Sequence, residues 1–178
     1  MTRKPKVRTF FPKTRLSELA TRPGGLSRDD AIAGAMKGIE ATRGEGDATV
    51  TKSISDIDAL LRTAKGGKLP LESLTSVLKQ ADQIVTISGT FGYWSLDKVA
   101  RSLCDLTDGL INSEQYDLAP VAVHVQSLRL LSPTSGITLG DAEVEKIHSE
   151  LAKVLEHYEF VSLAASGGAE DDEVAIAS

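Results

Sequence analysis

Few side chains of this sequence have chemistry to offer: three histidines, a carboxylate–amide pair at helical spacing, and one cysteine. His124 lies among valines in the run Val121-Ala122-Val123-His124-Val125. An imidazole that solvent reaches can take a phosphoryl group on a ring nitrogen. The alternative is a histidine at the surface or boundary of a helical protein. Asp108 and Asn112 stand four apart, one helical turn. An acid and an amide so placed can orient a water molecule against an aspartyl phosphate. Both are also ordinary residues near a helix end, and Gly109 between them predicts fraying there. His148 and His157 are too far apart to share a metal ion on one turn, and both are expected in solvent. No acid–histidine cluster points to a metal. No phosphate loop, nucleophile elbow or dinucleotide fingerprint occurs, and no cofactor is expected. The lone Cys104 excludes an internal disulfide framework and a cysteine zinc knuckle.

These groups must be held by helices. The chain has 178 residues, 41% of them hydrophobic and only 4% aromatic, which suits one domain with an aliphatic core. A first helix follows Ser27, an N-cap with Asp30 three residues on, and carries Ile32, Ala35, Met36 and Ile39. Gly34 and Gly38 weaken it, and Gly44 and Gly46 are expected to end it. A second run holds Ile54, Ile57, Leu60, Leu61 and Ala64 and stops at Gly66-Gly67. A third opens at Pro70, which suits a first helical position. Its apolar spacing takes in Leu71, Leu74, Val77, Leu78, Ala81, Ile84, Val85 and Ser88. A fourth starts near Ser95 and carries Leu96, Val99, Ala100, Leu103, Leu106 and Leu110. A fifth runs from Asp117 through Val121, Val125, Leu128 and Leu131 to Ser132-Pro133, and a last one from Asp141 to Tyr158. Sustained period-two alternation is missing. Short loops make consecutive helices antiparallel neighbours. The expected fold is all-α: an antiparallel up-and-down bundle with a four-helix core and one or two leading helices.

Residues 84–107 narrow the field. Ile87, Gly89, Thr90 and Gly92 fall where the histidine-phosphotransfer motif has its leucine, first glycine, small residue and second glycine. The chain therefore resembles the histidine-phosphotransfer domain, a helical bundle that passes phosphoryl groups to response regulators. The following helix resembles the family's next helix. A glycine beside the acceptor position removes a Cβ and lets a partner surface approach. In the same alignment the phosphoacceptor histidine is replaced by Val85 and the motif lysine by Ser88. Valine has no nucleophile, and a hydroxyl cannot balance phosphate charge as an ammonium does. The resemblance thus implies a site that carries no phosphate and a surface around Val85, Ser88, Gly89 and Gly92 that docks a partner. The other reading is that Gly89 and Gly92 only mark a helix end. The whole pattern is similar to the small chemotaxis accessory proteins called CheE. That likeness implies work in the cytoplasm beside a histidine kinase and response regulators.

Charge completes the pattern. Residues 1–15 hold six bases and no acid, and residues 166–178 hold four acids and no base, on a chain of net charge −5. The expected division is a basic flexible segment over 1–25, a helical domain over 26–163 and an acidic disordered tail over 164–178. The basic head with Phe10 and Phe11 suits a nucleic-acid arm, a membrane-surface segment or a solubilising tail. An acidic body argues against nucleic acid as the main partner. No secretory signal and no transmembrane segment are expected, and a single thiol suits a reducing cytoplasm. Aromatics gather at Phe91, Tyr93 and Trp94, a corner that caps a core or anchors a partner. The expected function is a non-catalytic signalling adaptor that binds a receiver domain or a histidine kinase. The enzymatic alternatives are phosphotransfer through His124 and regulator phosphatase activity through Asp108 and Asn112.

Overall fold

The computed structural model describes residues 24–158. The basic segment, apart from Gly24 and Gly25, and all of the acidic tail lie outside the described residues, as do residues 159–163 of the expected helical domain. Six helices follow one another: α1 (Arg28–Ala41), α2 (Arg43–Leu61), α3 (Leu71–Phe91), α4 (Trp94–Asn112), α5 (Leu118–Leu131) and α6 (Asp141–His157). No strand occurs among the described residues, and the fold is the expected all-α bundle. None of these helices is long and apolar enough to cross a membrane.

Two compact units divide after Gly38. The first contains most of α1. Its N-terminus is capped as expected: Ser27 Oγ accepts from the Asp30 N–H at 3.1 Å and donates to Asp30 Oδ2 at 2.7 Å. No residue of α1 is buried.

The second unit holds the core. Helices α2, α3, α4 and α5 close a ring in which each packs on the next and α5 returns to α2. Helix α6 lies outside this ring against α4 and α5. Helix α4 is the most engaged, touching α3, α5 and α6. Its spacing explains this: Leu96, Val99, Ala100, Leu103, Leu106 and Leu110 form one wide apolar face, every member shut off from water. Burial of each leucine or valine contributes roughly 1.5–3 kcal/mol. Val50, Ile54 and Ile57 of α2, Leu74, Val77, Ala81 and Ile84 of α3, and Val121, Val125 and Leu128 of α5 complete the core.

One expected boundary is corrected. Gly44 and Gly46 do not end the first helix; the chain breaks at Thr42, and both glycines lie inside α2. The reason is tertiary. The Phe91 ring, at the far end of α3, lies against Gly46, and a Cβ there would run into ring atoms Cε2, Cδ2 and Cζ. Arg43, one turn earlier, lies over the same corner. Its Nη1 donates to Tyr93 Oη at 2.9 Å and to the Phe91 carbonyl at 3.3 Å, and its guanidinium carbon stands 5.2 Å from the Phe91 ring centroid. Tyr93 Oη in turn donates to Asp47 Oδ1 at 2.7 Å. Phe91 and Tyr93 thus clasp the start of α2 to the α3–α4 corner, while Trp94 stays 69% exposed.

The opposite end has its own clasp. Gly66 and Gly67, with φ of 59° and 76°, make a tight turn between Lys65 and Lys68. The Leu69 N–H donates to Tyr116 O at 2.8 Å, and the Leu118 N–H donates to Gly67 O at 2.9 Å. The α2–α3 turn is therefore stitched to the α4–α5 link.

Gly46→Ala is expected to lower the unfolding free energy by about 1–3 kcal/mol, because the Phe91 ring must leave its seat. Gly44→Ala, with open space around it, is expected to be neutral or to stabilise by up to about 1 kcal/mol. Urea unfolding of the two variants beside the parent chain measures both.

Candidate functional site

Helix α3 carries two stripes. The inward one is Leu74, Val77, Ala81, Ile84 and Ser88, all buried. The outward one is Leu71, Thr75, Leu78, Asp82, Val85 and Gly89, at intervals of four and three. Leu71, Thr75, Asp82 and Gly89 are exposed, and Leu78 and Val85 are half-buried. Antiparallel packing sets this outward stripe beside the near edge of α4, which carries Asp97, Arg101, Cys104 and Asp108 at the same intervals. Thr75, Leu78, Lys79, Asp82 and Cys104 line a groove of about 480 Å³ between the two helices. Burial, then Asp82 and Asp105, push the Cys104 thiol up to about 12. It stays protonated and is a poor nucleophile. Arg101 Nε donates to Asp97 Oδ2 at 2.8 Å further along the same helix edge. Asp97 Oδ1 is buried without a partner.

The four residues of the expected docking surface do not share one face. Val85 and Gly89 lie on the outward stripe, and a Cβ at Gly89 would meet nothing within 4 Å. Ser88 is one residue round the helix, fully buried, with its hydroxyl unpartnered; it belongs to the core and not to a surface. Its place in the inward run of three and four was the signal. Gly92 ends the helix in the left-handed conformation, φ 73°, with its N–H turned to Ser88 O. The second glycine is thus a helix stop, which was the other reading of the pair. The Trp94 indole sits just beyond it, 3.8 Å from where a Gly92 Cβ would stand.

The histidines are placed differently from expectation. His124 is neither surface nor boundary: it is 0% exposed, while its neighbour Val123 is 49% exposed. Position 124 shares the core stripe of Val121, Val125 and Leu128, so spacing held the clue. Its Nδ1–H donates to Pro120 O at 2.8 Å, and its Nε2 accepts from Ser102 Oγ at 2.9 Å. Both nitrogens are used, and the ring ties α5 to α4. Burial pushes its pKa down to about 4, the Pro120 carbonyl opposing only in part. The ring is neutral and closed to a phosphoryl donor in this arrangement.

His148 is also not in solvent. It is nearly buried on α6, with Nε2 3.2 Å from Ser95 O at the start of α4 and Nδ1 without a hydrogen bond, 3.9 Å from Glu145 Oε2. His157 is exposed and edge-on to Tyr158. Asp108 and Asn112 do meet: Asn112 Nδ2 donates to Asp108 Oδ2 at 2.9 Å, on an exposed turn. The helix runs unbroken through Gly109, so the expected fraying is absent. Among the described residues, no three histidine, cysteine or acidic side chains are placed to hold a metal ion.

No family model matches the chain. No curated protein matches it either. The geometry alone carries the reading of the site. What it offers is a face of small, apolar and charged side chains on α3 and α4, with one exposed indole at its upper end.

The burial of His124 has a consequence in acid. The unfolded imidazole takes up a proton near its ordinary 6.5, and the folded one only near 4. As pH falls, the unfolded chain is protonated first. The stability is whole above pH 6.5 and is lost between 6.5 and 4, by up to about 3 kcal/mol. Urea titrations across that range should show this loss in the parent chain, and a shallower one in His124→Gln.

Proposed function

We propose that the chain is a non-catalytic signalling adaptor of a bacterial chemotaxis or two-component pathway. Its α3–α4 face binds a response-regulator receiver domain or the pathway's histidine kinase without accepting phosphate, in the cytoplasm where those partners work. One observation supports this above the others. Val85 and Gly89, which stand at the acceptor and first-glycine positions of the histidine-phosphotransfer pattern, both lie on the outward stripe of α3, with open space over Gly89. A partner helix can come close to a backbone that lacks a Cβ. The exposed Trp94 nearby supplies the kind of side chain that anchors interfaces. Enclosure of His124 speaks for docking over transfer, since the ring would have to leave the core to meet a donor.

Titration of the full chain with purified receiver domains and a kinase fragment tests the reading. Binding is expected to at least one of them. Gly89→Arg is expected to weaken it at least tenfold, about 1.4 kcal/mol, with unchanged thermal unfolding. Phosphorylated kinase should leave no label on the chain. Failure to bind any receiver or kinase overturns the adaptor. Label lost in His124→Ala would replace it with phosphotransfer. Faster decay of a phosphorylated regulator, abolished by Asn112→Ala, would replace it with the phosphatase.

A further inference from the structure

The outward stripe of α3 has a symmetry that the docking reading does not use. Its positions 71, 75, 78, 82, 85 and 89 are spaced four, three, four, three, four, so the pattern reads the same in both directions about Gln80. A helix packed antiparallel on its own copy about a two-fold axis at that point sets each position against the one equally far beyond the axis. Leu71, 47% exposed, then meets Gly89 of the second copy, where a side chain would find open space. Thr75 meets Val85, two β-branched side chains of similar size. Leu78 meets the stem of Asp82. The contact extends over the 19 positions from Leu71 to Gly89, roughly 27 Å of helix.

The charges fit the same axis. Lys79 and Asp82 rim the groove, and both side chains are exposed; Asp82 accepts from Thr86 Oγ1 only through its carbonyl, which leaves its carboxylate to the groove. The axis passes between them, so each lysine falls opposite position 81 of the other copy, one residue from its aspartate and within a side chain's reach of it, twice in one interface. A bipolar rim of this kind suits an identical partner, whereas a partner of one sign would meet one of the two charges unfavourably.

We propose that the chain forms a two-fold homodimer through α3, with Leu71 over Gly89 and Lys79 paired to Asp82 of the second copy. This inference goes beyond the docking reading and stands without it. The two share a face, however, so self-association covers Val85 and Gly89 and a receiver must compete with the second copy.

Sedimentation of the full chain over a concentration series tests the proposal. The parent chain is expected to dimerise. Asp82→Lys leaves only bases at the pair and Lys79→Asp only acids, so each alone should self-associate at least about tenfold more weakly. An equimolar mixture of the two variants should recover the dimer, since each copy then meets its opposite. Both positions are exposed, and circular dichroism with thermal melts confirms that the variants fold. A parent chain that stays monomeric to about 1 mM overturns the proposal, as does a dimer indifferent to both substitutions or a mixture that stays monomeric. A monomeric parent that binds a receiver would sink the dimer and spare the adaptor; a dimer that binds no receiver or kinase would do the reverse.

Discussion

The burial of α4 is the constraint on which the rest of this structure depends. Its apolar face is wide enough to serve α3, α5 and α6 together. A helix used on so many sides leaves only a narrow strip for water, and Trp94, Lys98, Arg101 and Asp108 occupy that strip. Polar links then fix two of the three neighbours. Ser102 on α4 meets His124 of α5, and the Ser95 carbonyl meets His148 of α6. Hydrophobic burial supplies most of the free energy but is not directional; these hydrogen bonds specify which turn of one helix faces which turn of the next.

In this arrangement two of the three histidines act as struts. An imidazole can be a nucleophile, a metal ligand or a packing element, and the environment decides which. His124 has lost its water and filled both nitrogens, so its charge state is fixed at neutral across the ordinary pH range. His148 has kept one nitrogen unpartnered beside Glu145 and holds α6, whose only buried residues are Leu151 and Leu155. Among the helices of the second unit, the one that buries the fewest residues thus adds a polar contact to its two leucines.

The helices were legible because aliphatic residues at intervals of three and four carry the fold. Starts at Ser27, Ser95 and Asp141 fell within one residue of the observed ones, since caps and turn residues act locally. Gly46 was not legible. Its meaning is set by Phe91, 45 positions away in the sequence, and a glycine that makes room for a distant ring looks like a glycine that ends a helix. His124 and Ser88 were partly legible. Both sit on inward stripes, but a polar residue at an inward position can be a buried hydrogen-bonding group or the sign of an exposed face, and only the neighbouring helix decides. For His124 the deciding residue is Ser102, on a different helix. Of the candidate face, Val85 and Gly89 could be placed on one stripe from spacing alone; the α4 edge opposite them depended on which helix packs beside α3.

Helix α3 shows how one segment can serve two surfaces. Its inward and outward stripes are displaced by about one residue, so every change of helical register would exchange core for surface. Ala81 and Ser88 are the smallest members of the inward stripe, and Asp82 and Gly89, one position on, keep the outward stripe from being a continuous oily strip. Scattered exposed leucines need no explanation on a folded protein. Leu71, Leu78 and Val85 differ because they are aligned, separated by a hydroxyl and a charge, and bordered by a groove on α4. An aligned row of that kind gains by covering its apolar area, yet Thr75, Asp82 and Gly89 interrupt it with positions that tolerate water. Such a face suits a reversible contact, which a row of uninterrupted leucines would make permanent.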